Sequence, residues 1–396
     1  MSSATVTRWS RRYVAVGACS LVVWQLATLL GSGRETGVVV GVYGFVLHVV
    51  FGKAYALVPS YFERDLALAR APAVQFPFAV VGTACLAAAT VSGVPAVVHT
   101  AGATLWAVGV AVFCGALAWT VRDNLTGSAT GTGEANAHRR RIDRVANAFV
   151  PVAFAYLLLG TYETLATGSP VPSFVGGGPP VTAHLLAAGG AVTLLLAVGF
   201  RLLPRFLVAT PPAPLVGVVL PAAAVGPLLL ATSFGGGPAF RIGAAVEAVA
   251  VVGFAVAFAT TFARSERRRI GFYGVLAGVV AGSAGVALGL GFALGHLAPV
   301  AAAARLHFRL NVLGFLGLSI VGVSYQFYPP TVGSFRGASN RTAGASLVAI
   351  AAGLVVEAVG RLGGGDAAVP VGVGLALLGA SLYAFLVLGV FRERPV

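Results

Sequence analysis

Long apolar runs, separated by short polar stretches, are the dominant pattern along the 396 residues of the chain. Each run holds about 20 mostly apolar residues, the length that an α-helix needs to cross a hydrocarbon core about 30 Å thick. The pattern predicts an all-α, polytopic membrane protein of twelve transmembrane helices with no separate soluble domain. The predicted spans are 13–31, 37–59, 74–93, 96–119, 147–166, 182–204, 213–232, 242–262, 270–295, 306–328, 343–360 and 370–391.

Charged residues are scarce and unevenly placed between these runs. The chain is 58% hydrophobic and 10% charged, with a net charge of +14, whereas soluble domains carry about 25% charged residues. With the N-terminus inside, the positive-inside rule is obeyed, and the outer side receives only Arg34, Arg241, Arg305 and Arg361. We therefore expect a multi-pass protein of the cell membrane with both termini on the cytoplasmic side. The positive charge indicates topology and lipid headgroups as partners, and not nucleic acid.

Three segments resemble one another when they are aligned without gaps on a shared proline. They are "VVGVYGFVLHVVFGKAYALVP" (39–59), "HLLAAGGAVTLLLAVGFRLLP" (184–204) and "RLNVLGFLGLSIVGVSYQFYP" (309–329), in the second, sixth and tenth spans. Gly44, Gly189 and Gly314 coincide in this alignment, and the proline is expected to end each helix. The repeat predicts a single membrane domain, 1–396, of three pseudo-symmetric four-helix units, 1–121, 145–263 and 270–396, with a basic inner loop, 122–144. Chance similarity among glycine- and valine-rich helices is the alternative.

Most histidines lie in the outer half or at the centre of the predicted membrane. His99, His184, His296 and His307 fall at outer ends of spans, and His48 falls near the middle of the second span. Neutral imidazole is the commonest protein ligand for transition metals, and it also ligates heme iron. A histidine at the end of a span can equally lie at the polar interface or bond to a backbone carbonyl. Both interpretations are open for these side chains.

Arg309 is a basic residue inside the tenth span, half a turn from His307. Membrane-buried ionisable groups are functional candidates by default, and a guanidinium presents five donors in a planar fork that suits carboxylates. A heme propionate is one candidate partner. The others are Glu163, Glu247 and Glu357, which are all predicted in the outer half of the membrane.

The run "HFRLNVLGFLGLSIVGVSYQFYPP" (307–330) resembles the tenth helix of subunit I of the heme-copper oxidases. That helix opens H-x-H and continues, at this spacing, with a glycine-rich stretch and an aromatic-aromatic-proline ending. The resemblance implies a twelve-helix bundle of three four-helix arcs, and the second span is also similar to that of the related NnrS membrane proteins. By this resemblance His307 matches a ligand of the high-spin heme iron, and His184 stands near a copper-ligating histidine.

Other positions depart from the pattern of that family. Arg309 stands where a second histidine would ligate the low-spin heme, and a guanidinium does not coordinate iron. No histidine lies between Arg34 and Val40, and the seventh span, "PLVGVVLPAAAVGPLLLAT", has none of the paired copper-ligating histidines. Intrinsic oxygen reduction is therefore not expected, and copper lacks most of its ligands. We expect at most one heme or metal site near the outer face, held by His307 with His184, His99 or His296 as candidate partners.

The sequence favours a heme- or metal-binding membrane protein of respiration, nitric-oxide response or oxidase assembly. His307 would be the axial ligand, Arg309 the propionate partner or a structural anchor, and other respiratory-chain membrane subunits would be partners beside the lipid bilayer. Two other classes stay open. A transporter or channel is indicated by the helical repeats, the Gly/Pro-interrupted seventh span and the ionisable Lys53, Glu163 and Glu247. The other is a structural subunit without a cofactor. Motifs of hydrolytic or nucleotide-dependent catalysis do not occur in the sequence.

Overall fold

The computed structural model describes residues 2–176, 178–363, 365 and 367–394. In these ranges twelve helices are long and apolar enough to cross a membrane, and no residue lies in a β-strand. The predicted all-α, twelve-helix membrane protein is therefore confirmed. The helices are α1 (Ala4–Leu29), α2 (Arg34–Tyr61), α3 (Ala71–Ala88), α4 (Ala96–Val121), α5 (Glu134–Ala166), α6 (Gly178–Leu207), α7 (Ala213–Thr232), α8 (Gly237–Arg264), α9 (Ile270–Ala293), α10 (Ala301–Val332), α11 (Asn340–Gly363) and α12 (Ala368–Glu393).

Large apolar side chains lie on the outside of these helices. Val280, Val348 and Leu378 are each more than half exposed, and contiguous apolar surface of this kind is rare on proteins that live in water. In a bilayer the acyl chains cover it at no cost, because lipid is as apolar as the side chains themselves. The exposed apolar surface therefore agrees with contact between these helices and lipid.

The helices divide by their packing into two compact units. Unit 1 comprises Met1–Val14 and Leu47–Ser265, and so contains α3 to α8 with parts of α1 and α2. Unit 2 comprises Ala15–Val46 and Glu266–Val396, and so contains α9 to α12 with the remaining parts of α1 and α2. In unit 1, α3 packs on α4 and α7 on α8; in unit 2, α9 packs on α10 and α11 on α12.

The α3/α4 pair shows why these hairpins pack so closely. A Cβ atom on Gly82 would lie 2.7 Å from the backbone nitrogen of Trp106, and one on Gly102 would lie 2.8 Å from that of Leu86. Both distances are too short for any larger residue, so the glycines set the distance between the two backbones. Close approach of this kind replaces the hydrophobic driving force that helices lack in lipid.

A π-helical segment occurs in α2, α6 and α10 at nearly the same place. The segments are Val39–Leu47, Leu185–Val192 and Leu310–Leu318, and they occupy matching positions in the three segments that the sequence aligns. Their recurrence every four helices agrees with the predicted repeat. The packing, in contrast, divides the chain into two units and not three, so the three-unit pseudo-symmetry and the single domain stay predictions.

The expectation that the aligned proline ends each helix is wrong for two of the three helices. Pro59 lies inside α2, which continues to Tyr61, and Pro204 lies inside α6, which continues to Leu207. Only in α10 does the α-helical part end before the proline, Pro329. Proline removes one backbone hydrogen bond, and in a membrane helix neighbouring groups can satisfy the carbonyl that it frees.

The predicted inner loop 122–144 is partly helical. A 3-10 turn spans Glu134–Arg139, and the α-helical part of α5 already begins at Arg140. Arg201 of α6 fixes this segment, since one of its Nη atoms donates to the carbonyl of Thr130 at 2.7 Å. Hydrogen bonding to buried polar groups can therefore order a segment whose composition alone predicts a loop.

Asp143 pairs with two arginines of α6, Arg201 and Arg205. From the sequence alone, both arginines count only as inner-side charges of the positive-inside rule. The Asp143 carboxylate accepts a hydrogen bond from Arg205 at 2.6 Å and lies 3.5 Å from Arg201. The Arg201 guanidinium also lies 4.1 Å from the ring centroid of Tyr61. These contacts are structural, because each charged group already has a partner within the chain.

Candidate functional site

His307 and Arg309 lie near the start of α10 and point to opposite sides of it. Two residues along an α-helix are about 200° apart around its axis. His307 accordingly faces α9, where its Nδ1 lies 2.8 Å from the carbonyl oxygen of Gly285. Arg309 faces α1 and α11, where it contacts Gln25 and Glu357. A ligand coordinated by His307 would therefore approach α10 from the side opposite to the Arg309 guanidinium.

The imidazole of His307 is held against the glycine-rich face of α9. A Cβ atom on Gly289 would lie 2.7 Å from His307 Cε1, so only glycine leaves room for the ring there. Asn311 follows one turn later and lies 3.4 Å from His307 Nδ1 through its side-chain nitrogen. With Nδ1 donating to the Gly285 carbonyl, the lone pair of the ring resides on Nε2.

Arg309 belongs to a buried charge cluster in unit 2. Its Nε donates to Glu357 at 2.8 Å, and one of its Nη atoms donates to the side-chain oxygen of Gln25 at 2.7 Å. Arg361 donates to the other oxygen of Glu357, also at 2.8 Å. The Arg309 side chain is 3% exposed and that of Glu357 is fully buried. Of the partners that the sequence proposes for Arg309, Glu357 is confirmed.

The guanidinium of Arg309 also borders a cavity of about 260 Å³, which we call the arginine cavity. Four arginines line it, Arg34, Arg305, Arg309 and Arg361, together with the loop between α1 and α2 and the first turn of α12. Trp24 and Phe308 supply an aromatic wall, with ring centroids 5.7 Å apart. All of these residues belong to unit 2.

The arginine cavity is the feature that sequence reasoning missed, although the sequence carries a signal for it. Of the four arginines that the topology places on the outer side, Arg34, Arg305 and Arg361 line this one cavity. Outer arginines are exceptions to the positive-inside rule. Their convergence on one cavity is a tertiary feature, which a one-dimensional topology prediction does not reveal.

The remaining candidate histidines have separate surroundings. His184 Nδ1 lies 2.7 Å from the Pro180 carbonyl one turn earlier in its own helix, and its ring packs edge-on against Phe234. His99 is half-buried in unit 1, and His296 is exposed in unit 2. In the part of the chain that the structure describes, no three His, Cys, Asp or Glu side chains are grouped so that they could hold a metal ion.

His307 stays the candidate axial ligand of a heme, and the role of Arg309 as a propionate partner stays a prediction. The orientation of His307 fits an axial ligand, because metal-ligating histidines usually donate their other ring N–H to a carbonyl or carboxylate. Arg309 is paired with Glu357, and one of its Nη atoms has no hydrogen-bond partner among the described residues. The heme site, His184, His99 and His296 as further ligands, and copper all stay predictions.

The ionisable residues of the transporter interpretation also lie in different surroundings. Glu163 accepts hydrogen bonds from the Ser173 hydroxyl at 2.5 Å and from the backbone nitrogen of Phe174 at 2.9 Å, so its carboxylate holds the loop after α5. Lys53 is half-buried in α2. Glu247 is buried in α8, and its Oε2 has no hydrogen-bond partner among the described residues.

No protein-family model matches the chain, and no curated protein is significantly similar to it in sequence. The resemblance to the heme-copper oxidases and to NnrS consequently rests on the motifs of spans two, six and ten, and it stays a prediction.

Proposed function

We propose that this membrane protein binds an anionic small molecule in the arginine cavity. The observation that carries the proposal is the convergence of Arg34, Arg305, Arg309 and Arg361 on one cavity of about 260 Å³ at the ends of membrane helices. The ligand would carry a carboxylate or phosphate group next to an apolar portion.

The charge balance of the cavity supports this proposal. Glu357 is shared by Arg309 and Arg361, whereas Arg34 and Arg305 make no ion pair within the described residues. One Nη atom of Arg309 is also buried without a hydrogen-bond partner in that part of the chain. Arg34 and Arg305 are exposed, so both guanidinium groups can donate hydrogen bonds to an anion in the cavity, and the buried Nη atom of Arg309 would gain a partner there.

The chemistry of the lining narrows the ligand class. Guanidinium groups form two parallel hydrogen bonds with carboxylates and phosphates, which an ammonium group does not. Trp24, Phe308 and Val373 form an apolar part of the wall. Small-molecule sites combine an apolar wall with a few placed polar groups in this way, so an anion with an apolar portion fits better than a bare inorganic ion.

Calorimetric titration of the purified protein in non-ionic detergent tests the proposal. Inorganic phosphate probes a soluble anion, and a short-chain phosphatidylglycerol probes a lipid with the same phosphate chemistry. We expect the double variant Arg34→Gln/Arg305→Gln to bind the accepted probe about tenfold more weakly or worse, because a hydrogen bond to a charged group contributes about 1.5–3 kcal/mol. Both residues lie outside the buried ion pair, so the variant should fold.

Arg241→Gln is the matched control for this titration. Arg241 is the fourth arginine that the topology places outside, it is exposed, and it does not line the cavity. Its replacement should leave the affinity unchanged. Equal affinities for the wild type, the control and the double variant would contradict the proposal, as would the absence of binding by both probes.

A second candidate function, heme or metal binding at His307, is favoured by one contact. The hydrogen bond between His307 Nδ1 and the Gly285 carbonyl, at 2.8 Å, orients Nε2 for coordination. A bound heme would supply electron transfer or gas binding, and this chain would supply the axial nitrogen.

Visible spectra of the protein from heme-replete cells, oxidised and reduced with dithionite, test this second function. We expect a Soret band that His307→Ala removes, since replacement of the axial nitrogen leaves the iron without its protein ligand. His138→Ala, which changes a histidine of the 3-10 turn Glu134–Arg139 that is not a candidate ligand, should keep the band. A colourless wild-type protein would rule out heme binding at His307.

A further inference from the structure

Glu247 is a carboxyl group enclosed between two membrane helices of unit 1. It lies on α8 and points at α7, where a Cβ atom on Gly226 would come within 2.8 Å of its Oε2. The residue is 7% exposed. Glycine at position 226 therefore leaves the space that the carboxyl group occupies.

No group in the described part of the chain compensates a negative charge on Glu247. Its Oε2 is buried without a hydrogen-bond partner, and no Lys, Arg or His lies within ion-pair distance of its carboxyl group in that part. The two other buried glutamates of membrane helices differ. Glu163 accepts hydrogen bonds from Ser173 and Phe174, and Glu357 is bound by two arginines.

Polar groups of α7 near this position are already used. Pro227 cannot donate to the carbonyl four residues earlier, that of Ala223, and Thr193 of α6 donates to this carbonyl at 3.0 Å. The next carbonyl, that of Ala224, accepts a hydrogen bond from the hydroxyl of Tyr156 at 2.5 Å. These contacts satisfy two carbonyls of α7 near the proline, and Pro227 itself has no N–H that could donate to Glu247.

None of the titratable groups named on the neighbouring helices forms an ion pair or hydrogen bond with Glu247 among the described residues. The sequence of α7 contains no titratable residue. On α6, Arg201 and Arg205 contact Asp143, and His184 contacts Pro180 at the first turn. On α5 the hydroxyl of Tyr156 is committed to α7, and on α8 itself Arg241 is exposed near the start of the helix.

We infer that Glu247 is a proton-binding site inside the membrane, with its carboxyl group held as the neutral acid. An ionised carboxylate is costly in an apolar medium unless it is paired, and the bound proton removes that cost. The ligand is a proton and not a metal cation, because a hard cation needs several oxygen ligands and the described residues place no second carboxyl or hydroxyl group on Oε2. This inference does not depend on anion binding.

Infrared difference spectroscopy of the protein in detergent at neutral pH tests the inference. Wild type should show the carbonyl stretch of a protonated carboxylic acid, which shifts on transfer to deuterium oxide, and Glu247→Gln should lose that band. The matched control is Glu163→Gln, which should keep it, because Glu163 is a hydrogen-bonded carboxylate. A wild type without the band, or a band that survives Glu247→Gln, would overturn the inference.

A second measurement needs no variant and so does not depend on folding of Glu247→Gln. Dicyclohexylcarbodiimide is an apolar reagent that takes the proton of a carboxylic acid as it bonds to the carboxyl oxygen. Mass spectrometry of the labelled wild type should find the adduct on Glu247 and not on Glu163 or Glu357. If sodium chloride abolishes the labelling, a sodium ion has displaced the proton from the carboxyl group. That result would overturn the inference and indicate a sodium site.

Discussion

At Glu357 one buried carboxylate faces two guanidinium groups. Arg309 and Arg361 each donate to a different oxygen of it at 2.8 Å. Because a carboxylate has two oxygens with about four lone-pair sites, it can bind both arginines without competition. The cluster keeps one net positive charge, which faces the arginine cavity together with Arg34 and Arg305.

We predict that Glu357→Gln lowers the free energy of unfolding by about 3 kcal/mol, because removal of one partner leaves buried charges unpaired. Thermal unfolding in detergent measures the change. Glu35→Gln serves as the control, since Glu35 is exposed near the start of α2 and should change stability little. Equal melting temperatures for both variants would mean that the buried pair does not stabilise the fold.

The three glutamates that the sequence places in the outer half of the membrane have three different environments. Glu357 is ion-paired, Glu163 accepts hydrogen bonds from the loop after α5, and Glu247 is buried with one oxygen unsatisfied among the described residues. Residue type and depth are the same for all three in the sequence. Their chemistry differs because it depends on which side chains of other helices are within reach.

The three aligned segments of α2, α6 and α10 share a backbone feature, a π-helical segment, in addition to their similar sequences. A π-helix is rare and frequently occurs at functional sites, and here it recurs at matching positions of three helices. Gly44, Gly189 and Gly314 lie inside these segments. At Gly189 the neighbouring Tyr156 of α5 packs directly on the backbone, which shows one use of the small residue.

Replacement of Gly82 tests whether close backbone packing stabilises the α3/α4 hairpin. Gly82→Leu should lower the free energy of unfolding by about 1–3 kcal/mol, because a larger side chain has no space and forces the backbones apart. Chemical denaturation in mixed micelles measures the change.

Gly374→Leu controls for the general effect of replacing a membrane-helix glycine by leucine. Nothing lies within 4 Å of a Cβ atom at Gly374, so that variant should be neutral or slightly stabilising, since leucine is a better helix former. A similar loss in both variants would show that the close approach at Gly82 is not what stabilises the hairpin.

For the molecule as a whole, the arginine cavity agrees with the predicted order of the spans. It is lined by the end of α1, the starts of α2, α10 and α12 and the end of α11, which alternate as expected for helices that cross a membrane in turn. Arg34, Arg305 and Arg361 thus belong to one end of these helices. The cell membrane as the location and the cytoplasmic side for both termini stay predictions.

The sequence alone determined the class of the protein and the number of its spans. Twelve runs of mostly apolar residues have one favourable solution in a bilayer, because a helix satisfies its own backbone hydrogen bonds without neighbours. This solution depends on local composition and length, both of which are visible in one dimension. The arginine excess in alternate loops and the repeat on a shared proline can also be read from the sequence, because both depend only on the order of residues along the chain.

Which polar groups contact one another depends on the packing of the helices. The tertiary structure paired Arg309 with Glu357 and not with Glu163 or Glu247, turned His307 toward α9 and gathered outer arginines from different helix ends around one cavity. It also left Glu247 without a partner for its Oε2 among the described residues. In lipid, helix association depends on close packing of small residues and on a few polar contacts. Such contacts join residues far apart in the chain, and hydrophobic periodicity carries no information about them.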